Sequence, residues 1–144
     1  MKKIKFLADL KEKGVIELVE SSEEIKESYL KKSESNLESA KILLNSKKLE
    51  ESISLSYFSM YNVILALFFK CGIKCENHSA SIIILKEIFE IDNSEISNAK
   101  EERIDKQYYT EFHINQEDVL KAIETTERFN SKIRDFISRL NSEK

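Results

Sequence analysis

Three polar residues on one predicted helix, Arg103, Gln107 and Tyr108, are candidates for a binding site. At helical spacing they lie along one ridge, and the segment around them has few apolar residues to hold it against a core. The guanidinium of Arg103 has a permanent charge and five hydrogen-bond donors, so this ridge could line a functional cleft. The competing interpretation is a solvated helix face, because Glu102 and Lys106 have the spacing of an ordinary ion pair.

Two tyrosines and the two histidines form a second set of candidates. Tyr57 and Tyr61 are one turn apart on the most apolar segment, which favours core aromatics whose hydroxyls reach the surface or a partner. His78 follows Asn77, and it is either a helix-start residue bonded to backbone or part of a polar site. His113 is more simply explained as a surface residue than as a catalytic one.

The cysteines allow a metal hypothesis that the spacing does not favour. Cys71 and Cys75 are followed by His78, but a fourth ligand would have to come from His113, 35 residues further along. Two reduced thiols at a helix end, one of them buried, are the simpler expectation. We therefore predict no metal site and no cofactor.

Composition restricts the fold and the cellular setting. The 144 residues make one domain, and the sequence has no proline and only two glycines, so an all-α fold is expected. The net charge of −3 argues against a general polyanion binder but leaves room for a local basic site. No uncharged stretch has the apolar character of a membrane span, and no signal peptide is evident, so we expect a cytoplasmic protein without a membrane contact.

Apolar periodicity predicts the helices and their order. The segment from Leu49 to Gly72 is apolar on nearly all sides, as in a central helix that ends at a glycine cap. Capping signatures start further helices at Ser21, Asp92 and Asn115, and another runs over 78–91. The expected architecture is a four-to-five-helix up-and-down antiparallel bundle over residues 21–144. Residues 1–20 are expected to form a separate arm, with a short helix, a turn at Gly14 and a short extended stretch.

The order of several short motifs resembles the HEPN superfamily, and within it the small stand-alone prokaryotic proteins of the UPF0332 type. The motifs lie at 36–44, at 56–61, at 77–80 and at 103–108. Their sequences are Asn-Leu-x-x-Ala-x-x-Leu-Leu, Ser-Tyr-Phe-Ser-Met-Tyr, Asn-His-Ser-Ala and Arg-Ile-Asp-Lys-Gln-Tyr. The resemblance covers roughly residues 22–142 and leaves the arm outside.

The resemblance implies a homodimeric helical bundle whose active members cut RNA without a metal. In these members an arginine holds the scissile phosphate, and a histidine a few positions later moves a proton. Many are partners of a small nucleotidyltransferase in toxin–antitoxin-like pairs. In this sequence Arg103 is followed by Tyr108, Tyr109 and Thr110 where the histidine should stand, so the strict ribonuclease motif is absent.

Two functions from different classes therefore remain, beside a purely structural bundle in which Arg103→Ala would change nothing. The first is a binding module: a homodimer associated with a nucleotidyltransferase, holding a nucleotide or an RNA phosphate near Arg103. The second is a metal-independent endoribonuclease with a divergent site that uses Arg103 with Tyr108 or His113. The missing histidine favours the first, because a tyrosine of ordinary pKa near 10 is a poor proton shuttle at neutral pH.

Overall fold

The computed structural model describes the backbone of residues 2–108 and 114–142, and the side chains of residues 2–104 and 114–140. These residues form six helices and two short strands in the order α1, β1, α2, α3, β2, α4, α5, α6. Their bounds are α1 Lys2–Glu12, β1 Ile16–Leu18, α2 Glu23–Asn45, α3 Leu49–Cys71, β2 Ile73–Cys75, α4 His78–Glu87, α5 Ser94–Tyr108 and α6 Gln116–Ser142. The predicted all-α fold is confirmed.

The central helix α3 is the element against which α2, α5 and α6 pack. Its side chains are buried on nearly every side, as the apolar sequence predicts. The largest fully buried side chains of the core lie on α3, α4, α5 and α6: Tyr57, Met60, Ile64, Leu67, Phe68, Ile84, Leu85, Ile96, Phe129 and Ile133. By length and composition α3 could cross a membrane. This corrects the expectation that no stretch of the sequence has the apolar character of a membrane span. However, 72% of its most apolar window is buried inside the bundle, as in a core helix.

Small polar side chains allow α2, α3 and α6 to approach closely at one level of the bundle. The Ser33 hydroxyl donates to the Ser59 carbonyl at 2.7 Å, and the Ser59 hydroxyl donates to the Ser33 carbonyl at the same distance. From α6, the Asn130 amide donates to the Ser59 hydroxyl at 2.9 Å. These bonds satisfy groups that would otherwise be costly to bury, and they fix the register of three helices.

The amino-terminal arm packs on the bundle through backbone pairing. Strand β1 runs antiparallel to β2, with Ile16 opposite Cys75 and Leu18 opposite Ile73. Phe6, Leu7 and Leu10 of α1 add partly buried apolar contacts to the core. The extended stretch expected after Gly14 thus exists, and it pairs with a strand that directly follows Gly72.

The helix ends confirm some predicted caps and correct others. Gly72 closes α3 in the left-handed conformation, and Asn115 and Asp118 exchange reciprocal bonds at the start of α6. The cap of α2 is Ser22 rather than Ser21, since the Ser22 hydroxyl accepts from the Ile25 amide at 3.1 Å.

The predicted end of α4 and the predicted start of α5 are each shifted by a few residues in the structure. Helix α4 ends at Glu87 rather than at Ile91. Between these two residues the chain leaves the helical conformation, and Glu90 has a positive φ. Asp92 makes a turn ahead of α5, because its carboxylate accepts from the backbone and hydroxyl of Ser94.

Candidate functional site

Three helices bring five side chains together at one side of the bundle. Helix α3 contributes two successive aromatic residues and a third one turn later, α4 contributes its first residue, and α5 contributes an arginine. We call this group the Arg103 cluster: Tyr57, Phe58, Tyr61, His78 and Arg103.

His78 is held at the first position of α4 by bonds to its neighbours. Asn77 caps this helix, and its side-chain oxygen accepts from the Ala80 amide at 2.8 Å. The Tyr57 hydroxyl and the His78 Nδ1 lie 2.7 Å apart. The Tyr61 ring stacks on the imidazole with centroids 3.8 Å apart and planes 14° apart. Because Nδ1 is engaged by Tyr57, Nε2 is the ring nitrogen left for a ligand or a proton.

Arg103 lies against the aromatic residues of α3. Its guanidinium carbon is 5.5 Å from the centre of the Tyr57 ring and 5.1 Å from that of the Phe58 ring, which are cation–π distances. Lys100, one turn earlier on α5, donates to the Ser79 hydroxyl at the start of α4. Arg103 therefore lies on the rings of α3, and Lys100 contacts the start of α4.

The environment keeps His78 neutral and the tyrosines protonated. Burial lowers the pKa of His78 below its usual 6.5, and the charges of Arg103 and Lys100 lower it further. Burial also raises the pKa of Tyr57 and of Tyr61 above 10. At neutral pH the imidazole is thus an uncharged group that can accept a proton, whereas neither tyrosine can act as a base.

A cleft opens next to this cluster, between α2 and α3. It has a volume of about 390 Å³ and shares three residues with the cluster. We call it the asparagine cleft, and the residues that line it are Tyr29, Lys32, Asn36, Phe58, Tyr61, Asn62, Leu65 and His78. The Asn62 amide donates to the Asn36 side-chain oxygen at 2.7 Å, and this bond joins the two helices.

The candidates from sequence divide into those that the structure brings together and those that it does not describe. Tyr57, Tyr61, His78 and Arg103 meet in the cluster, and Asn77 positions one of them. The side chains of Gln107 and Tyr108 and the whole of His113 lie outside the described residues, so their proposed roles stay predictions. The two tyrosines are core aromatics, as expected, with hydroxyls that bond to His78 and Ser81.

The cysteines do not form part of a metal centre in the described part of the chain. No group of three or more histidine, cysteine or acidic residues is placed there to hold a metal ion. Cys71 is exposed at the end of α3, and Cys75 is buried in β2, where its thiol donates to the Asn77 carbonyl at 3.5 Å.

Sequence reasoning missed Phe58, Lys100 and the asparagine cleft. The sequence could have indicated Asn62 as a site residue, because it is the one carboxamide in the apolar helix α3 and a polar residue at such a position needs a hydrogen-bond partner. Its partner Asn36 lies 26 positions earlier, on another helix, so spacing alone could not identify the pair.

Comparison with known protein families identifies one family whose model matches most of the chain. The model of the HEPN domain matches residues 26–136. The chain belongs to the HEPN domain family. No curated protein matches it. Membership in this family is consistent with a module concerned with nucleotides or RNA, and the match begins within α2, after the arm.

Proposed function

We propose that this chain is a homodimeric HEPN module of the small stand-alone UPF0332 type, which binds a phosphate group of a nucleotide or an RNA at Arg103. We further propose that it acts as the partner of a nucleotidyltransferase in a toxin–antitoxin-like pair. The observation that carries the phosphate site is the position of the Arg103 guanidinium against the Tyr57 and Phe58 rings, beside His78.

The chemistry of a guanidinium held in this way suits a phosphate. A planar guanidinium can donate two parallel hydrogen bonds to phosphate oxygens, and the aromatic faces limit the orientations that it adopts. Lys100 adds a second positive charge on the same helix, and the neutral His78 adds a polar group without competing charge. In a chain with a net charge of −3, this is a local basic site rather than a general polyanion surface.

Homodimerisation and the nucleotidyltransferase partner are proposed on the resemblance to the HEPN superfamily. Light scattering after size-exclusion chromatography should give twice the mass of 16.8 kDa. Co-expression with a nucleotidyltransferase encoded beside this chain should yield a stable complex. A monomer at micromolar concentration, or no complex, would contradict these two parts of the proposal separately.

The phosphate site is tested by calorimetric titration with ribose 5-phosphate, which has a phosphate but no base. Arg103→Ala should weaken binding by about tenfold or more, the effect of losing hydrogen bonds to a charged group. The matched control is Arg128→Ala, which removes an exposed arginine of α6 and should leave binding unchanged. Equal affinity of the Arg103→Ala variant and the native protein would overturn the proposal.

The structure also gives a specific reason to test the second candidate function, a metal-independent endoribonuclease. Helix α5 lacks a histidine at the expected spacing, but α4 brings His78 to the same cluster as Arg103. In the tautomer whose Nδ1–H donates to the Tyr57 oxygen, the neutral imidazole could take the proton of a 2′-hydroxyl through Nε2 while Arg103 holds the scissile phosphate.

This candidate predicts cleavage of single-stranded RNA in the presence of a chelator, with 2′,3′-cyclic phosphate ends. Both Arg103→Ala and His78→Ala should abolish that cleavage. If the native protein leaves the RNA intact, the enzymatic candidate is wrong and the binding module stands alone.

A further inference from the structure

The asparagine cleft has the composition of a site for a flat heteroaromatic ligand. Its volume of about 390 Å³ lies within the usual range for small-molecule sites. Aromatic rings, two carboxamides, one lysine and one leucine line it, and no carboxylate does so among the residues that the structure describes. Such a lining favours a ligand with a π face and hydrogen-bonding edges over an aliphatic or cationic one.

The two asparagines supply a hydrogen-bond donor and an acceptor side by side. Asn62 is only 6% exposed, and its one amide bond to Asn36 uses one hydrogen and one lone pair. Whichever of the two amides donates, the pair still has amide hydrogens that can donate to a ligand and carbonyl lone pairs that can accept from it. A ligand edge with its own neighbouring acceptor and donor would match this pair.

We propose that the asparagine cleft binds an adenine base, and this inference rests on the proposed function, because it concerns the nucleotide whose phosphate Arg103 holds. Adenine has a donor next to an acceptor on its edge, which is the pattern that asparagine pairs with in two parallel bonds. Cytosine is typically read by a carboxylate, and a carboxylate also matches the two neighbouring N–H donors of guanine, whereas the described lining of the cleft contains no carboxylate. Adenine also has a larger π face than uracil for stacking.

The position of Phe58 connects the base site with the phosphate site. The Phe58 ring is half-buried, lines the cleft, and lies 5.1 Å from the Arg103 guanidinium carbon. Tyr29 lines the same cleft, and the ammonium of Lys32 lies 5.9 Å from the centre of its ring. A base that contacts Phe58 in the cleft could therefore direct its sugar and phosphate towards Arg103.

The test is calorimetric titration with AMP, GMP, CMP, UMP and ribose 5-phosphate. We expect AMP to bind most tightly, at least about tenfold better than ribose 5-phosphate. In Asn36→Asp the acceptor for Asn62 is kept but the amide donor is lost, so this advantage should fall about tenfold. The matched control Asn45→Asp adds the same charge at an exposed position of α2 and should retain the advantage. If the melting temperature of Asn36→Asp is too low for the titration, Asn36→Leu, which preserves side-chain volume, serves as a second variant.

The outcomes separate this inference from the proposed function. If ribose 5-phosphate binds as well as every nucleotide and Arg103→Ala weakens it, the adenine site is wrong and the phosphate site stands. If AMP is preferred, loses its advantage in Asn36→Asp, and is unaffected by Arg103→Ala, the adenine site stands and the phosphate site is wrong. Absence of binding by any probe overturns both. Tighter binding of an oligoadenylate than of AMP would support the adenine site and identify its source as RNA.

Discussion

At the scale of single residues, the most informative finding is the contact of His78 with Tyr57 beside Arg103. At the spacing after Arg103 where the family's histidine is expected, the sequence has Tyr108, Tyr109 and Thr110. The structure instead supplies an imidazole that stands 25 positions earlier in the chain. Helical spacing predicts neighbours on one helix, but it carries no information on which residues of different helices meet. For this reason Tyr57, Tyr61 and His78 were named from sequence as separate candidates, and their mutual contacts were not.

The electrostatic coupling of Arg103 to His78 gives a first prediction. In Arg103→Ala the pKa of His78 should rise, because a nearby positive charge that opposes protonation is removed. It should remain below 6.5, since burial is the larger cause of the lowered value. An NMR titration of the imidazole protons measures this, with His113→Gln to assign the two histidines. Arg128→Ala should leave the titration unchanged, and an unaltered His78 pKa in Arg103→Ala would show that the two groups do not interact.

At the scale of elements, the contact between the arm and the end of α3 was not predictable from periodicity. Strands β1 and β2 have three residues each, too few for an alternation pattern to be distinguished from a loop. Their pairing depends on the turn at Gly72, whose carbonyl accepts from the Val19 amide at 2.8 Å. The glycine itself was predicted correctly as a helix cap. Its second role, allowing the arm to approach, depends on tertiary structure.

The two glycines provide a matched pair for testing that role. A Cβ at Gly72 would lie 2.4 Å from the Val19 carbonyl oxygen, and φ is +81°. At Gly14, φ is +75° and the space around a Cβ is open. Gly14→Ala should therefore cost only the penalty for the left-handed conformation, about 1 kcal/mol. Gly72→Ala should cost about 1–3 kcal/mol more than that, because the arm must shift. Urea unfolding measures both, and equal losses would contradict the close packing of the arm.

An ion cluster joins the start of α2 to the end of α3. The Glu23 carboxylate pairs with the buried ammonium groups of Lys26 and Lys70, and hydrogen bonds from Lys26 and then from Lys70 lower its pKa from 4.5 to about 2. Because the folded-state pKa is the lower one, this stabilisation is complete above about pH 4.5 and is lost as the pH falls towards 2.

The prediction concerns the melting temperature of Glu23→Gln. At pH 7 this variant should melt below the native protein, since the buried ammonium group of Lys70 loses the Glu23 carboxylate and that of Lys26 keeps only its pair with Glu27. The difference should shrink between pH 4.5 and pH 2, where the native carboxylate becomes protonated. Glu24→Gln, an exposed neighbour, is the control. A difference that is independent of pH would assign the effect to packing rather than to charge.

At the scale of the whole molecule, the helical bundle was predictable and the surface site was only partly so. The regular spacing of apolar residues in α6 and the nearly continuous apolar character of α3 predicted both helices, since burial in a bundle imposes these patterns. The asparagine cleft was not predictable, because it is formed by α2, α3 and α4 together. A homodimer, a nucleotidyltransferase partner and a cytoplasmic location remain predictions.

The most direct test of the central claim measures binding and cleavage of one labelled single-stranded RNA, in chelator, by the native protein and two variants. We expect the native protein and Arg128→Ala to retain intact RNA on a filter, and Arg103→Ala to retain about a tenth or less of it. Cleavage by the native protein that disappears in Arg103→Ala would show that the protein is a ribonuclease with its active site at Arg103, and not a binding module alone. Equal retention by Arg103→Ala and the native protein would contradict the assignment of the Arg103 cluster as the functional site.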